Sequence, residues 1–346
     1  MTIVPHRFDH VIGVDTHART HTLVILDRLG TKVTAGEFPT TGSGLGRAAA
    51  WIERNTSGRI AVAMEGTSSY GAAFTRLLTG AGVAVFETRP PKRVRRRDGK
   101  SDPIDAELAA RHLLTLGDGD RSLPRDTTGD RAALQVLLTG RRARTTQRTA
   151  TSNALTALLR THELGIDARK PLTPTQIRQI AAWRGRPSEP AWQATIRAEA
   201  VSLAHAIQIK DAELASNLKT LRHHVTSITG WLLDEPGIGP VSAAQILASW
   251  SHPGRIRSEA AFARLAGVAP IPASSGNTTR HRLHRGGDRQ LNHALWTIAF
   301  SRANTHPATR DYMTKRLQEG KTRREAIRSL KRIIARSLYR KLQTMN

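Results

Sequence analysis

In the first third of the chain the apolar positions fall in short, dense runs. The stretch HVIGVDTHARTHTLVILDRLGTKVTAGEFPTT holds two β-rich runs, a turn at DRLG and a third, weaker run. It predicts a three-stranded antiparallel meander. SGLGRAAAWIERN then reads as a helix, and RIAVAMEG is nearly continuous in apolar residues, as expected of a strand buried on both faces. A helix over SYGAAFTRLLTGAG, ended by its glycines, and a strand over VAVFETRP come next. The helix DPIDAELAARHLLTLG closes the series, with Asp102 at its N-cap and Pro103 in its first turn. The order β-β-β-α-β-α-β-α predicts a mixed α/β domain over residues 8–118.

The texture then changes. GDRSLPRDTTGD, residues 119–130, reads as a polar linker containing Gly and Pro. Over residues 131–225 two long segments carry apolar residues at helical spacing with charges between them. Joined by a Pro-containing turn region, they predict an antiparallel helical hairpin or coiled-coil arm, whose apolar stripe calls for a partner helix and hence oligomerisation. Residues 226–346 predict a mainly α domain. In its final helix Ile327, Leu330, Ile334, Leu338 and Leu342 form one stripe with arginines around it. That helix suits either packing with a solvated basic face or direct nucleic-acid contact.

Charge narrows the partners. Of 346 residues, 53 are Lys or Arg and 28 are Asp or Glu, a net charge of +25. A field of that sign points to a polyanion, with nucleic acid ahead of an anionic membrane surface. No apolar run is long enough to span a bilayer and no secretory signal pattern opens the chain. The expected location is cytoplasmic, associated with the nucleoid. The absence of cysteine excludes disulfides and thiolate metal sites.

Against this charge, four acids stand out. Asp15 ends the first strand, Glu65 ends a later one, and Asp102 and Asp105 open the helix after RPPKRVRRR. Singly, each has an ordinary explanation: a turn former for Asp15, a cap or a surface arginine partner for Glu65, an N-cap for Asp102, and Lys100 beside Asp105. Together they differ, because strand ends of an open α/β sheet gather in one crevice. Oxygen-only carboxylate ligands suit Mg²⁺ or Mn²⁺. Two such ions about 3.5–4 Å apart clamp the attacking and leaving oxygens of a phosphodiester. Lys92, Arg93, Arg95, Arg96 and Arg97, immediately before the acid pair, are placed to hold the phosphate backbone.

The patterns IGVDTH, AMEGT and KSDPIDAELAAR, with LAGVAPIPASSGNTTRHRLHRGGDRQLNHALW near the C-terminus, resemble the bridge-RNA-guided insertion-sequence transposases. The resemblance covers nearly the whole chain. It implies a RuvC-like (RNase H-like) α/β mixed-sheet domain, then a long helical coiled-coil arm and a mainly α C-terminal transposase domain. Asp15, Glu65, Asp102 and Asp105 correspond to its acidic tetrad. The serine before glycine corresponds to its nucleophile, here Ser275 before Gly276, with the adjacent Ser274 as the alternative. From residue chemistry alone PASSGN is ordinary loop material. A serine hydroxyl needs a base or metal to activate it. The resemblance implies a composite site, with metals from the first domain and serine from the last, and a transient phosphoserine bond to DNA. It further implies a structured noncoding guide RNA and dimers that assemble into a tetramer.

Two further features concern nucleic acid. EPGIGPVSAAQIL resembles a helix-hairpin-helix turn in which Gly237 and Gly239 let backbone amides approach phosphate. Arg280 and Arg282 follow the serine in a basic stretch. The function expected is therefore DNA transposition, cutting and rejoining through a serine-linked intermediate. The alternatives are a metal-dependent junction-resolving nuclease that uses water, which leaves the final third without a task, and a non-enzymatic basic DNA-binding protein.

Overall fold

A computed structural model of the chain describes residues 8–88, 102–273, 281–282, 284 and 286–345. The chain divides into two compact units, each assembled from separated stretches. One takes in residues up to Thr128, Trp250–Asn292 and the chain from Arg328 onward; the other takes in Gly129–Ser249 and His293–Ile327.

The first unit is built on a five-stranded sheet. The meander forms as its pattern predicts: β1 (His10–Thr16), β2 (Thr20–Asp27) and β3 (Lys32–Pro39) pair antiparallel in sequence. After helix α1 (Gly42–Asn55), β4 (Ile60–Met64) pairs parallel to β1. After α2 (Ala72–Gly80), β5 (Ala84–Glu87) pairs parallel to β4. The sheet order is therefore β3-β2-β1-β4-β5, and the fold is mixed α/β. Edge strand β3 alternates between exposed and half-buried positions, which is why its apolar run is weak.

Period-two alternation sorts the side chains onto two faces. Ile12 and Val14 of β1, with Val62 and Met64 of β4, pack under α1 and α2 through Leu45, Ile52, Phe74 and Leu78. Helix α1 starts where Thr41 caps it, accepting from the Gly44 amide at 3.1 Å. On the other face Val11, Val24, Leu26, Ala61 and Ala63 meet Ala106, Ala109, Ala110 and Leu113 of α3 (Asp102–Thr115). The alanines are small, and they let α3 lie close. A methyl added to Gly13 would stand 1.8 Å from the Ala106 carbonyl oxygen.

Later segments of the chain complete this unit. Helices α9 (Glu259–Leu265) and α12 (Arg323–Leu342) are joined by ion pairs. The Glu259 carboxylate meets the Arg332 guanidinium at 2.6 Å and that of Arg336 at 3.0 Å. A short antiparallel pair, β6 (Ile271–Pro272) and β7 (His281–Arg282), flanks residues 274–280 in the chain. The stripe expected along α12 is buried from Ile327 to Leu342.

The second unit is helical. Its longest elements are α4 (Gly129–Thr161) and α6 (Ala191–Ile228), packed antiparallel. Asp130 near the start of α4 meets His224 and Ser227 near the end of α6, and Arg148 farther along α4 meets Asp211 farther back on α6. Between them, where the pattern predicts only a turn region, lies a helix, α5 (Pro174–Ala181). Thr173 and Gln176 form its capping box, and Ile177 and Ile180 bury against Leu155, Leu159 and Ala204. Two turns are too short a stretch for periodicity to reveal it. Helices α7 (Trp231–Asp234), α8 (Pro240–Trp250), α10 (Arg289–Thr305) and α11 (Pro307–Gln318) follow. No described helix is long and apolar enough to cross a membrane.

Candidate functional site

Side-chain alternation places the acids. On β1 the residues Val11, Gly13 and Asp15 share the face covered by α3, and Asp15 is the member at the strand's C-terminal end. Helix α3 buries Ala106, Ala109, Ala110 and Leu113, and the same stripe runs back through Asp105 and Asp102 in its first turn. The close approach at Gly13 thus brings the start of α3 over the end of β1. Glu65 follows β4 directly and is exposed. Its backbone carbonyl accepts from the Thr16 hydroxyl at 2.9 Å, tying the end of β4 to the end of β1.

A histidine outside the expected tetrad completes the group. His17 Nε2 lies 3.1 Å from Asp15 Oδ2 and 3.5 Å from Asp102 Oδ1. One ligand atom from each of Asp15, His17 and Asp102 lies within 4.8 Å of the others. Asp105 and Glu65 stand outside that tight trio, although Asp105 is near enough to act electrostatically on Asp15. The signal for His17 in the sequence is a two-residue step: Asp15 lies in β1 and His17 directly follows the strand's last residue, so period two continued past the strand end would put both side chains on one side.

Burial pushes the Asp15 carboxyl above its ordinary range. His17 beside it pulls the other way, and the charges of Asp102 and Asp105 push up again. Half-buried carboxylates that repel one another are what a bound cation relieves, so the donor set fits a divalent metal ion. Asp102 is the first residue of α3 and half exposed, its carboxylate turned to His17.

The other expected contacts are scattered over the chain. Lys92, Arg93, Arg95, Arg96 and Arg97 lie outside the described residues, as do Lys100, Ser274, Ser275 and Arg280. Arg282 is exposed on β7. In the hairpin turn between α7 and α8, Gly237 adopts φ +74° and its Cα faces α10. An added methyl there would stand 3.1 Å from the Ile298 carbonyl oxygen and 3.0 Å from Arg302 Cγ. Arg302 also fastens the turn, donating to the Pro236 carbonyl at 2.6 Å and pairing with Glu235 at 3.1 Å. Gly239 faces open space.

Comparison with known proteins bears on both ends of the chain. A transposase family model of the IS110 DEDD type matches residues 12–163, which contain all four acids, and the Transposase IS116/IS110/IS902 family model matches residues 231–314. The chain belongs to the IS110 family of insertion-sequence transposases. Among curated relatives, it is 38% identical over 103 residues to an uncharacterised 43.6 kDa protein of insertion element IS110 from Streptomyces coelicolor. It is 30% identical over 215 residues to an uncharacterised 42 kDa protein of insertion element IS900 from Mycobacterium paratuberculosis. These alignments take in 29% and 60% of this chain, and 25% and 51% of the two relatives.

Proposed function

We propose that this IS110-family protein is a DNA recombinase that moves its insertion sequence by cutting and rejoining strands at a metal-assisted site. The observation that carries the reading is the meeting of Asp15, His17 and Asp102 at the C-terminal end of β1, with Asp105 near enough to act electrostatically on Asp15. The sheet order, with three antiparallel and then two parallel strands, suits a RuvC-like (RNase H-like) domain. In this reading Asp15, Glu65, Asp102 and Asp105 hold Mg²⁺ or Mn²⁺. When bound, such an ion supplies Lewis acidity at a phosphodiester and lowers the pKa of a coordinated hydroxyl.

Ser275 acts as nucleophile. Its hydroxyl oxygen attacks phosphorus, a phosphoserine ester forms, and the 3′- or 5′-oxygen of the broken strand leaves with a proton. Reversal by another strand's hydroxyl restores Ser275 and a phosphodiester, so no ATP is consumed. Lys92, Arg93, Arg95, Arg96 and Arg97, with Arg280, Arg282 and the turn at Gly237 and Gly239, hold nucleic-acid backbone. The α4–α6 hairpin serves as a coiled-coil dimerisation arm in a tetrameric assembly. A noncoding RNA selects the DNA sites, and the protein works on the nucleoid.

The test isolates DNA under denaturing conditions from cells expressing the protein from its element with native flanks, and probes for attached protein. An adduct present in wild type and Ser274→Ala, but lost in Ser275→Ala and Asp102→Ala, is the expected result. Cleaved DNA without adduct, dependent on Asp102 and indifferent to Ser275, overturns the serine step and leaves a water-using nuclease. Neither adduct nor cleavage, with DNA still bound, leaves a binding protein.

A further inference from the structure

The imidazole of His17 stands between two members of the acidic tetrad, Asp15 and Asp102. We infer that His17 is itself a metal ligand, making this an oxygen-and-nitrogen site that prefers Mn²⁺ and similar transition ions to Mg²⁺. The inference rests on the metal-dependent reading and deepens it.

Spacing supports it first. Ligand atoms about 2.1 Å from an octahedral ion stand about 3 Å apart when adjacent. The separations from His17 Nε2 to Asp15 Oδ2 and Asp102 Oδ1, 3.1 and 3.5 Å, are those of neighbouring corners. Orientation agrees. The imidazole presents Nε2 to both carboxylates at once, so one atom is aimed where a shared ion would sit. Access agrees as well. Asp15 has only 15% of its side chain exposed, whereas His17 and Asp102 have 47% and 50%, so Asp15 forms the floor and the other two the open rim.

Attachment also favours a positioned ligand. Thr16, between Asp15 and His17, is fixed by its hydroxyl to the Glu65 carbonyl, and the His17 amide donates to the Thr20 carbonyl at 3.1 Å. The backbone carrying the ring is therefore held on both sides. Imidazole is a softer donor than carboxylate, and adding one to a carboxylate set raises affinity for Mn²⁺ and Co²⁺ more than for Mg²⁺.

The experiment uses purified, metal-free full-length protein without nucleic acid. Mn²⁺ is titrated calorimetrically, and the bound ion is examined by pulsed electron paramagnetic resonance for a directly coordinated nitrogen. Wild type is expected to show that nitrogen, and His17→Ala and His17→Gln to lose it, with Mn²⁺ affinity falling about tenfold or more and Mg²⁺ affinity falling less. Thermal unfolding of the two variants without metal checks that the fold is intact; His17 lies on the surface, so both are expected to match wild type. Mn²⁺ bound equally by all three proteins with no nitrogen coupling overturns the role of His17 and leaves the carboxylate site standing. No Mn²⁺ binding by wild type overturns both the ligand and the metal-dependent reading.

Discussion

Gly13 and Ala106 touch backbone to backbone: a methyl on Gly13 would stand 1.8 Å from the Ala106 carbonyl oxygen and 2.9 Å from the Ala110 amide nitrogen. That closeness sets the height of α3 over β1, and with it the separation of Asp102 and Asp105 from Asp15. Gly13→Ala is expected to cost about 1–3 kcal/mol in denaturant unfolding and to weaken Mn²⁺ binding. The control is Gly46→Ala, in α1 with nothing within 4 Å of the added methyl. It is expected to stabilise by about 0.5–1 kcal/mol with metal binding unchanged. Equal effects of the two substitutions on metal binding would detach the glycine from the site.

Asp15 sits in the fold at a raised pKa, chiefly through burial. A raised carboxyl contributes stability below its unfolded pKa that is lost as pH rises through the folded value. At neutral pH without metal the ionised group is therefore a burden on the fold. Asp15→Asn should unfold at a higher temperature than wild type at pH 7, and the advantage should vanish near about pH 3. Adding Mn²⁺ should raise the midpoint of wild type and leave that of Asp15→Asn unmoved.

The sign reverses at the base of the α4–α6 hairpin. Hydrogen bonds from Ser227 and then from His224, both at 2.7 Å, hold the Asp130 carboxyl below its usual range. Its contribution is present above the unfolded pKa and is lost as pH falls through the folded one. The unfolding midpoint of wild type should exceed that of Asp130→Asn at about pH 5. The gap should close as pH falls below about 4.

The two glycines of the hairpin turn should separate stability from binding. Gly237→Ala forces a left-handed φ of +74° on a residue with a Cβ and crowds Ile298 and Arg302. It should cost about 1–2 kcal/mol. Gly239→Ala, facing open space, should leave stability unchanged. If that turn approaches phosphate, Gly239→Ala still weakens binding to a generic DNA duplex. Unaltered binding would remove the turn from the interface.

The arginines before α3 give a salt-dependent readout. Replacing Arg93, Arg95, Arg96 and Arg97 by Gln should flatten the dependence of log affinity on log salt by about 0.7–0.9 for each phosphate no longer neutralised. A slope equal to that of wild type would show that none of the four meets phosphate.

Much of the first unit is legible along the chain. The strands of the meander, the buried run of β4 and the apolar stripe of α12 each bury a face whose spacing matches its element's own period, so local pattern and tertiary environment agree. Two features are not legible there. Helix α5 is two turns long, and its burial against α4 and α6 is what holds it. His17, just past the end of β1, offers in the sequence only its two-residue step from Asp15. What marks it is the company of Asp102, 85 residues away in a different element.

Charge, the elements of the sheet and the placing of acids at strand ends follow from the order of residues alone, because composition and periodicity are local properties. Three outcomes belong to the folded chain instead: a glycine lets α3 close on β1, His17 stands between two carboxylates, and Trp250–Asn292 with the chain from Arg328 onward join the same unit as the sheet. Those outcomes depend on distances between residues far apart in the chain. Such distances are set by how closely backbones can approach, and no run of neighbouring residues encodes that.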